Sequence, residues 1–450
     1  MEKNSDFSQG SILRHIVRLA VPMTVAQFIN VLYNIVDRIY IGRIPDHATQ
    51  ALTGLGVCFP VITLIIAFAN LVGSGGAPLF SIERGRQNEE EAERILGNCT
   101  VLLLTFGLVL TAVFMAVKRP MLYMLGASDQ TFPYADAYLT VYLVGTVFVM
   151  FSLGLNSFIN AQGFGNVGLL TVAIGAVMNV ILDPIFIFRM EMGVKGAALA
   201  TVISQFTAAV WTICFLTGKR TLLKIKRECM NLEAERVKRI TTLGMSGFTM
   251  ALTNSAVQMV CNATLQTYGG DIYVGVMTVI NSVREVVELP MRGFMSSAQP
   301  IMSYNYGAKA YDRVKQAIRN MAGMQFVYTF GMWGLLTAFT EFFIRIFNQD
   351  PVLIQTAIPS MHIYFFGFFM MTFQYAGQSV FTSLGKAGYA VFFSIFRKGI
   401  VVIPLVLMLP AMYGLGVKGV FMAEPISNFL GGLACFITMY ITVYRKLDKM

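Results

Sequence analysis

GVKGAALATVISQ (residues 193–205) recurs as GVKGVFMAEPISN (residues 416–428), 223 positions later. A second pair, NSFINAQGFGN (156–166) and QSVFTSLGKAG (378–388), aligns at an offset of 222. At that offset Pro78 also meets Pro300, Gly85 meets Gly307 and Asn98 meets Asn320. Separate stretches that agree within one residue mark an internal duplication, and each copy must then build the same set of elements.

Those elements read as membrane spans. Hydrophobic residues make up 56% of the 450, charged residues 13%, and mean hydropathy is +0.63; soluble proteins carry about twice that share of charge. Apolar runs of about 20 residues, enough to cross a bilayer core, recur along the chain. Hydropathy places twelve of them, at 16–41, 51–73, 95–117, 138–161, 168–188, 196–217, 241–267, 274–300, 320–340, 359–384, 389–409 and 417–443. The first run is too long for a signal-peptide core and no small-residue cleavage site follows, so the first helix is expected to be retained. The fold class is an all-α membrane protein, twelve transmembrane helices in two pseudo-symmetric six-helix lobes. The N-lobe is expected over 1–216, a basic cytoplasmic linker over 217–240 and the C-lobe over 241–450.

The net charge of +10 does not point to nucleic acid, because its positions follow a membrane pattern. With the N-terminus inside, the inner segments hold 22 Lys and Arg and the outer loops seven, which predicts both termini cytoplasmic. The linker TGKRTLLKIKRECMNLEAERVKR (217–239) reads as a solvated segment beside anionic headgroups. Six cysteines without a CxxC pair read as small core residues. His15, His47 and His362 are too scattered for a metal-dependent enzyme. No GxxxxGK[ST] is present, so the chain does not energise itself through a P-loop, and GFGNVG (163–168) lacks the βαβ context of a dinucleotide site.

Each half holds an even number of spans and so keeps the same orientation. Parallel repeats of this kind are a transporter architecture. The ionisable residues inside the spans are then the first candidates for function. In MNVILDPIFIF (178–188), Asn179 and Asp183 lie one turn apart on the same helix face. The first helix carries Asp37 at a similar depth, with Tyr33 one turn below, and the sixth brings Thr201 to that level. Oxygen ligands of this kind suit a hard ion such as Na+, and two close carboxylates can share a proton. Pro184 removes a backbone bond to Val180 and lets the helix bend. The structural alternative makes Asp183 a hydrogen-bond acceptor and pairs Asp37 with Arg38.

The second half does not repeat the cluster. Cys261 stands near the place of Asp37, valines and leucines replace Asn179 and Asp183, and Glu424 sits where Thr201 maps. The eighth helix instead carries NSVREVVELPMRGF (281–294). Either Arg284 and Glu288 neutralise each other, or Glu288 or Glu424 faces a cavity and attracts cationic cargo. Arg397 and Lys398 are expected to snorkel towards the inner surface.

The chain resembles the multidrug and toxic compound extrusion family over nearly its whole length. DRIYIG (37–42), NVILDPIF (179–186), GVKGAALATVISQ and the AQGFGN turn (161–166) carry the resemblance. It implies a cation-coupled antiporter of the bacterial inner membrane that alternates between inward- and outward-open states. It also implies a coupling-ion or proton site of Asp37, Asn179, Asp183 and Thr201, with Tyr33, Tyr138 and Asn156 around it. The implied cargo is amphipathic and mostly cationic organic compounds, for which the 36 Phe and 28 Met offer an adaptable lining. No cofactor beyond H+ or Na+ and no nucleic acid partner is expected, and the chain is read as monomeric. The rival readings are a lipid-linked saccharide flippase of the same wider superfamily, with a cationic cavity for phosphates, a channel, and a membrane enzyme.

Overall fold

The computed structural model describes residues 7–44, 48–412 and 414–448; His47 lies outside them. Among the described residues there is no strand. The helices are α1 (Ile12–Ile41), α2 (Ala48–Gly85), α3 (Glu89–Met124), α4 (Phe132–Val144), α5 (Thr146–Ala161), α6 (Gly165–Pro184), α7 (Gly193–Thr217) and α8 (Ala234–Gly269). They continue with α9 (Asp271–Gly307), α10 (Tyr311–Ala338), α11 (Thr340–Phe347), α12 (Pro351–Tyr364), α13 (Met371–Ser383), α14 (Ala387–Ile395), α15 (Ile403–Met408) and α16 (Val417–Met439).

These make twelve spans. α4 and α5 form one span bent by 56°, α12 and α13 another bent by 43°, and α11 turns 85° away from the end of α10. α14 and α15 join through a π-helical segment, Phe396–Val402, and α6 runs on into a π turn, Ile185–Arg189. Among the described residues seven helices are long and apolar enough to cross a membrane by length and composition, and ten spans are when each bent pair counts as one. α8 and α9, of 36 and 37 residues, complete the twelve, and they are more polar because amides and charges such as Asn254, Gln258, Arg284 and Glu288 interrupt them.

The duplication is visible in the backbone. α1, α3 and α6 start at residues 12, 89 and 165, and α8, α10 and α14 start at 234, 311 and 387, each 222 positions later. The turns repeat as well. Gln87 (φ 61°) and Lys309 (φ 57°) are left-handed at matching places, as are Gly163 (φ 90°) and Gly385 (φ 70°). Few residues other than glycine adopt that conformation, so the shared departure at Gln87 and Lys309 is a specific mark of common design.

The helices run past the hydropathy limits where their ends are buried in protein. α2 continues to Gly85, well beyond the apolar run that ends near 73, and Ser81 and Glu83 on this extension are buried. α3 starts on Asn88, whose side chain accepts from the Glu91 N–H at 3.2 Å, with Glu89, Glu90 and Glu91 in the first turn. A cap plus negative charge at the amino end favours that start. Along α1 the exposed Leu13, Val17, Val21, Val25, Phe28, Leu32, Ile35 and Ile39 form one stripe at helical spacing, suited to hydrocarbon.

Two compact units are formed. The first spans residues 21–244; the second takes 7–20 together with the chain from Met245 onward. In the first, α2 packs on α3 and α5, and α7 packs on α4, α5 and α6. Gly75 and Gly244 let α2 and α8 approach backbone to backbone, since a Cβ on Gly244 would overlap the Leu71 carbonyl; small residues serve this purpose where helices meet in membranes. In the second unit α16 packs on α12 and α13, and α9 on α10 and α13.

The basic linker is more ordered than a solvated segment. Gln162 Oε1 accepts from Thr221 Oγ1 (2.9 Å) and from the N–H groups of Leu222 (2.9 Å) and Leu223 (3.0 Å). Asn98 Nδ2 donates to the Asn231 carbonyl (2.9 Å), and Asn98 Oδ1 accepts from the Glu233 N–H (3.1 Å). Arg236 holds both oxygens of Glu91, at 3.0 and 2.8 Å. The linker's carbonyls and amides thus find partners on α3 and at the end of α5. All six cysteines are free, and Cys58, Cys99, Cys261 and Cys435 are buried.

Candidate functional site

The first unit brings two carboxyls together. Asp37 on α1 and Asp183 at the end of α6 are 9% and 0% exposed, and their carboxyls lie within hydrogen-bonding reach of each other. Asn179 Nδ2, one turn before Asp183, donates to Asp183 Oδ1 and to Thr201 Oγ1, both at 3.3 Å. The Thr201 hydroxyl donates to the Ala197 carbonyl at 3.1 Å, so its oxygen is available as the acceptor. Tyr138 on α4 is buried beside Thr201 and stacks on Tyr142 with centroids 6.1 Å apart. Tyr33 lies one turn before Asp37 and near both acids.

Among the described residues, no donor reaches Asp37 Oδ1, Asp183 Oδ2 or Asn179 Oδ1. Buried acceptors are normally satisfied, and two carboxylates in contact cannot both stay ionised unless a cation or a proton sits between them. The arrangement is therefore chemically suited to hold a proton or a hard monovalent cation on oxygen ligands. The described residues contain no group of three or more His, Cys, Asp or Glu that could hold a metal ion.

Pro184 does what its chemistry dictates. The α-helical ladder stops there and the chain continues as a π turn, closed by the Met190 N–H on the Ile185 carbonyl at 2.9 Å. Arg38 does not turn to its neighbour Asp37 but lies over the Phe59 ring, 4.5 Å from the centroid. Asn156 is not part of the cluster. Its amide donates to the Gly168 carbonyl at 3.3 Å, which is about four helical turns along α6 from Asp183. Tyr142 was not singled out in the sequence because a tyrosine among apolar residues carries no distinguishing signal.

The second unit has a different polar cluster. Glu424 on α16 accepts from Arg397 (3.0 Å) and Lys398 (2.9 and 3.0 Å), and Arg284 stands 3.9 Å away. Glu288 lies between Arg292 (3.2 Å) and Arg284 (3.6 Å). Arg284 also donates to the Tyr364 hydroxyl at 2.9 Å, and Arg397 to Asn428 Oδ1 at 2.8 Å. Neither acid is thus the free carboxylate that cation attraction requires. The simple Arg284–Glu288 pair is also incomplete, because Arg292 is the closer partner. Arg397 and Lys398 are 7% and 3% exposed; they do not snorkel, because Glu424 draws both into the interior.

A duplicated six-span bundle with buried ionisable groups in each copy has the build of a multi-pass membrane transporter rather than an enzyme. The MatE family model matches residues 22–185 and 246–408, one stretch in each half, and the chain belongs to this family of multidrug and toxic compound extrusion transporters. It is 23% identical over 448 residues to the multidrug export protein MepA of Staphylococcus haemolyticus, covering 98% of this chain and 97% of the relative. Its fold matches an outward-facing multidrug resistance transporter of the family with a TM-score of 0.92 at 23% identity, over 100% of this chain and 99% of the other. A Pyrococcus furiosus transporter of the wider superfamily, described as having a binding pocket of reverse polarity that suggests a different function, matches equally well. Its TM-score is 0.92 at 22% identity, again over 100% and 99% of the two chains.

Proposed function

We propose that this transporter exports a range of small amphipathic organic compounds by antiport, coupled to inward movement of H+ or Na+ at the Asp37–Asp183 site. The observation that carries the reading is the contact of two buried carboxyls on different helices, beside Asn179 and Thr201. Occupancy by a cation or proton neutralises the pair and lets α1 and α6 stay close. Release restores repulsion and favours the other state, so the pair is an element whose equilibrium an ion gradient can bias. The multidrug character follows the relatives named above. The resemblance implies mostly cationic cargo; the separate expectation that Glu288 or Glu424 attracts it as a free acid is not carried into this proposal. We orient both termini to the cytoplasm on the Lys and Arg bias and treat the monomer as the working unit.

The test is efflux from proteoliposomes with the pH and Na+ gradients imposed one at a time. One gradient should drive export in the wild type and not in Asp183→Asn protein. Export at the same rate without either gradient would sink the proposal.

A further inference from the structure

The repeat relates the carboxyl site of the first unit to a cavity in the second, and the charge there is of the opposite sign. At offsets of 222 to 223, Tyr142 maps to Tyr364, Asn179 to Val402, Asp183 to Val406 and Thr201 to Glu424. All four counterparts line one cavity, together with Lys398 and with Arg284 from α9. Gly175 and Ala176 of α6 map to Arg397 and Lys398, so two bases enter where the first unit has almost no side chain. Space is made for them: Ala208 maps to Gly431, where a Cβ would stand 2.7 Å from Arg397 Cγ. Both bases sit on the π-helical segment Phe396–Val402, a winding that occurs mostly as short bulges inside α-helices and is frequent at functional sites.

We infer that this cavity binds an anionic group, a carboxylate or phosphate borne by an amphipathic molecule. The inference rests on the export reading only in calling that molecule cargo. Arg284, Arg397 and Lys398 face two carboxylates, Glu288 and Glu424, which leaves one positive charge in excess inside the unit. Arg292, half exposed, adds a fourth base beside Glu288 and near Glu285. A surplus cation in a low-dielectric interior is costly unless an anion pairs with it, and an anion entering the cavity supplies that pairing. Neutral donors stand ready for it. Asn254, Gln258 and Asn281 line the same cavity, and the Tyr364 hydroxyl, which accepts from Arg284, keeps its own proton to donate. Met277, Val402, Val406 and Val420 also line the cavity and give the apolar body of an amphiphile a surface to rest on.

The experiment is equilibrium binding to the purified full-length protein in detergent with no ion gradient. It uses two xanthene dyes of opposite charge, carboxyfluorescein and rhodamine 6G, read by fluorescence anisotropy. Wild-type protein should bind carboxyfluorescein at least tenfold more tightly than rhodamine 6G. Lys398→Gln and Arg284→Gln should each weaken carboxyfluorescein at least tenfold, and Glu424→Gln should tighten it severalfold, a gain that a purely structural role would not produce. Competition separates the sources of the anion. Displacement at lower concentration by dioctanoyl phosphatidic acid than by benzoate assigns the ligand to lipids, and the reverse assigns it to soluble organic acids; either result keeps the site. A wild-type preference for rhodamine 6G, or no carboxyfluorescein binding at all, overturns the inference, and this comparison needs no variant to fold. Because no gradient is present, such a failure leaves the coupling reading intact, and loss of coupling in Asp183→Asn protein says nothing against the anion site.

Discussion

Thr201 and Glu424 hold the same position in the two copies of the repeat, 223 residues apart, yet their surroundings are opposite in charge. Thr201 accepts from Asn179 beside two acids, whereas Glu424 accepts from Arg397 and Lys398 and has Arg284 close by. Duplication conserved the place of a buried polar residue on α7 and α16 and left its chemistry free to diverge. The outcome is one copy built around two buried carboxyls close to each other and another built around a carboxylate already surrounded by bases.

The two acids of the first unit are expected to act as one function. Asp37→Asn and Asp183→Asn should each abolish gradient-driven export while the protein inserts in normal amounts, because each keeps the shape and removes the charge. The double variant should be no worse than either single one, since contacting residues that share a role are not additive. Initial efflux rates, normalised to protein by immunoblot, check this. Additive losses would mean that the two carboxyls work independently.

Removing the acid of the second unit should be costly to stability. Glu424→Ala leaves Arg397 and Lys398 buried without their shared carboxylate, a change of about 3 kcal/mol or more for a buried pair broken on one side. Adding Lys398→Ala should recover part of that loss, because the double variant no longer buries the orphaned ammonium. Thermal unfolding in detergent of the wild type, the single variant and the double variant is the measurement. No recovery in the double variant would place the cost elsewhere.

Close backbone approaches make their own forecast. Gly431→Ala meets only the stem of Arg397, at 2.7 Å, and a flexible side chain can shift, so a loss of about 1–2 kcal/mol is expected for mild overpacking. Gly244→Ala drives a methyl group into the Leu71 carbonyl, where only main chain can yield. Expression of folded Gly244→Ala protein should collapse while Gly431→Ala survives, as judged by size-exclusion profiles.

Asn98 should govern the order of the linker. Asn98→Ala removes the bonds to the Asn231 carbonyl and from the Glu233 N–H and leaves those backbone groups to seek other partners, at about 1–3 kcal/mol for a group stranded without one. Hydrogen exchange across residues 229–234 should quicken in the variant, with α5 and α13 unchanged. Exchange that stays slow would assign the linker's order to the Glu91–Arg236 pair instead.

Much of this protein was determined along the chain itself. The spans follow from runs of apolar residues long enough for a bilayer, and the duplication from repeated stretches such as GVKG at 193 and 416; both are local properties that need no folded neighbours to be read. The Asn179, Asp183 and Thr201 cluster was legible for the same reason, because helical spacing puts Asn179 and Asp183 on one face and the position of Thr201 in the inward-running sixth span gives it a matching depth. What helical spacing cannot give is rotation about each helix axis relative to its neighbours. Asn156 meets Gly168, about four turns down α6 from the acids, and that rotation decided that Arg38 covers Phe59 rather than pairing with Asp37. It also decided that Arg397 and Lys398 point inward. A lysine within a span reads as a snorkelling one until a carboxylate from another helix is known to stand 2.9 Å away. Charge is counted along a sequence, but whether it is exposed, paired or in excess depends on which helices bring their ionisable groups to the same place.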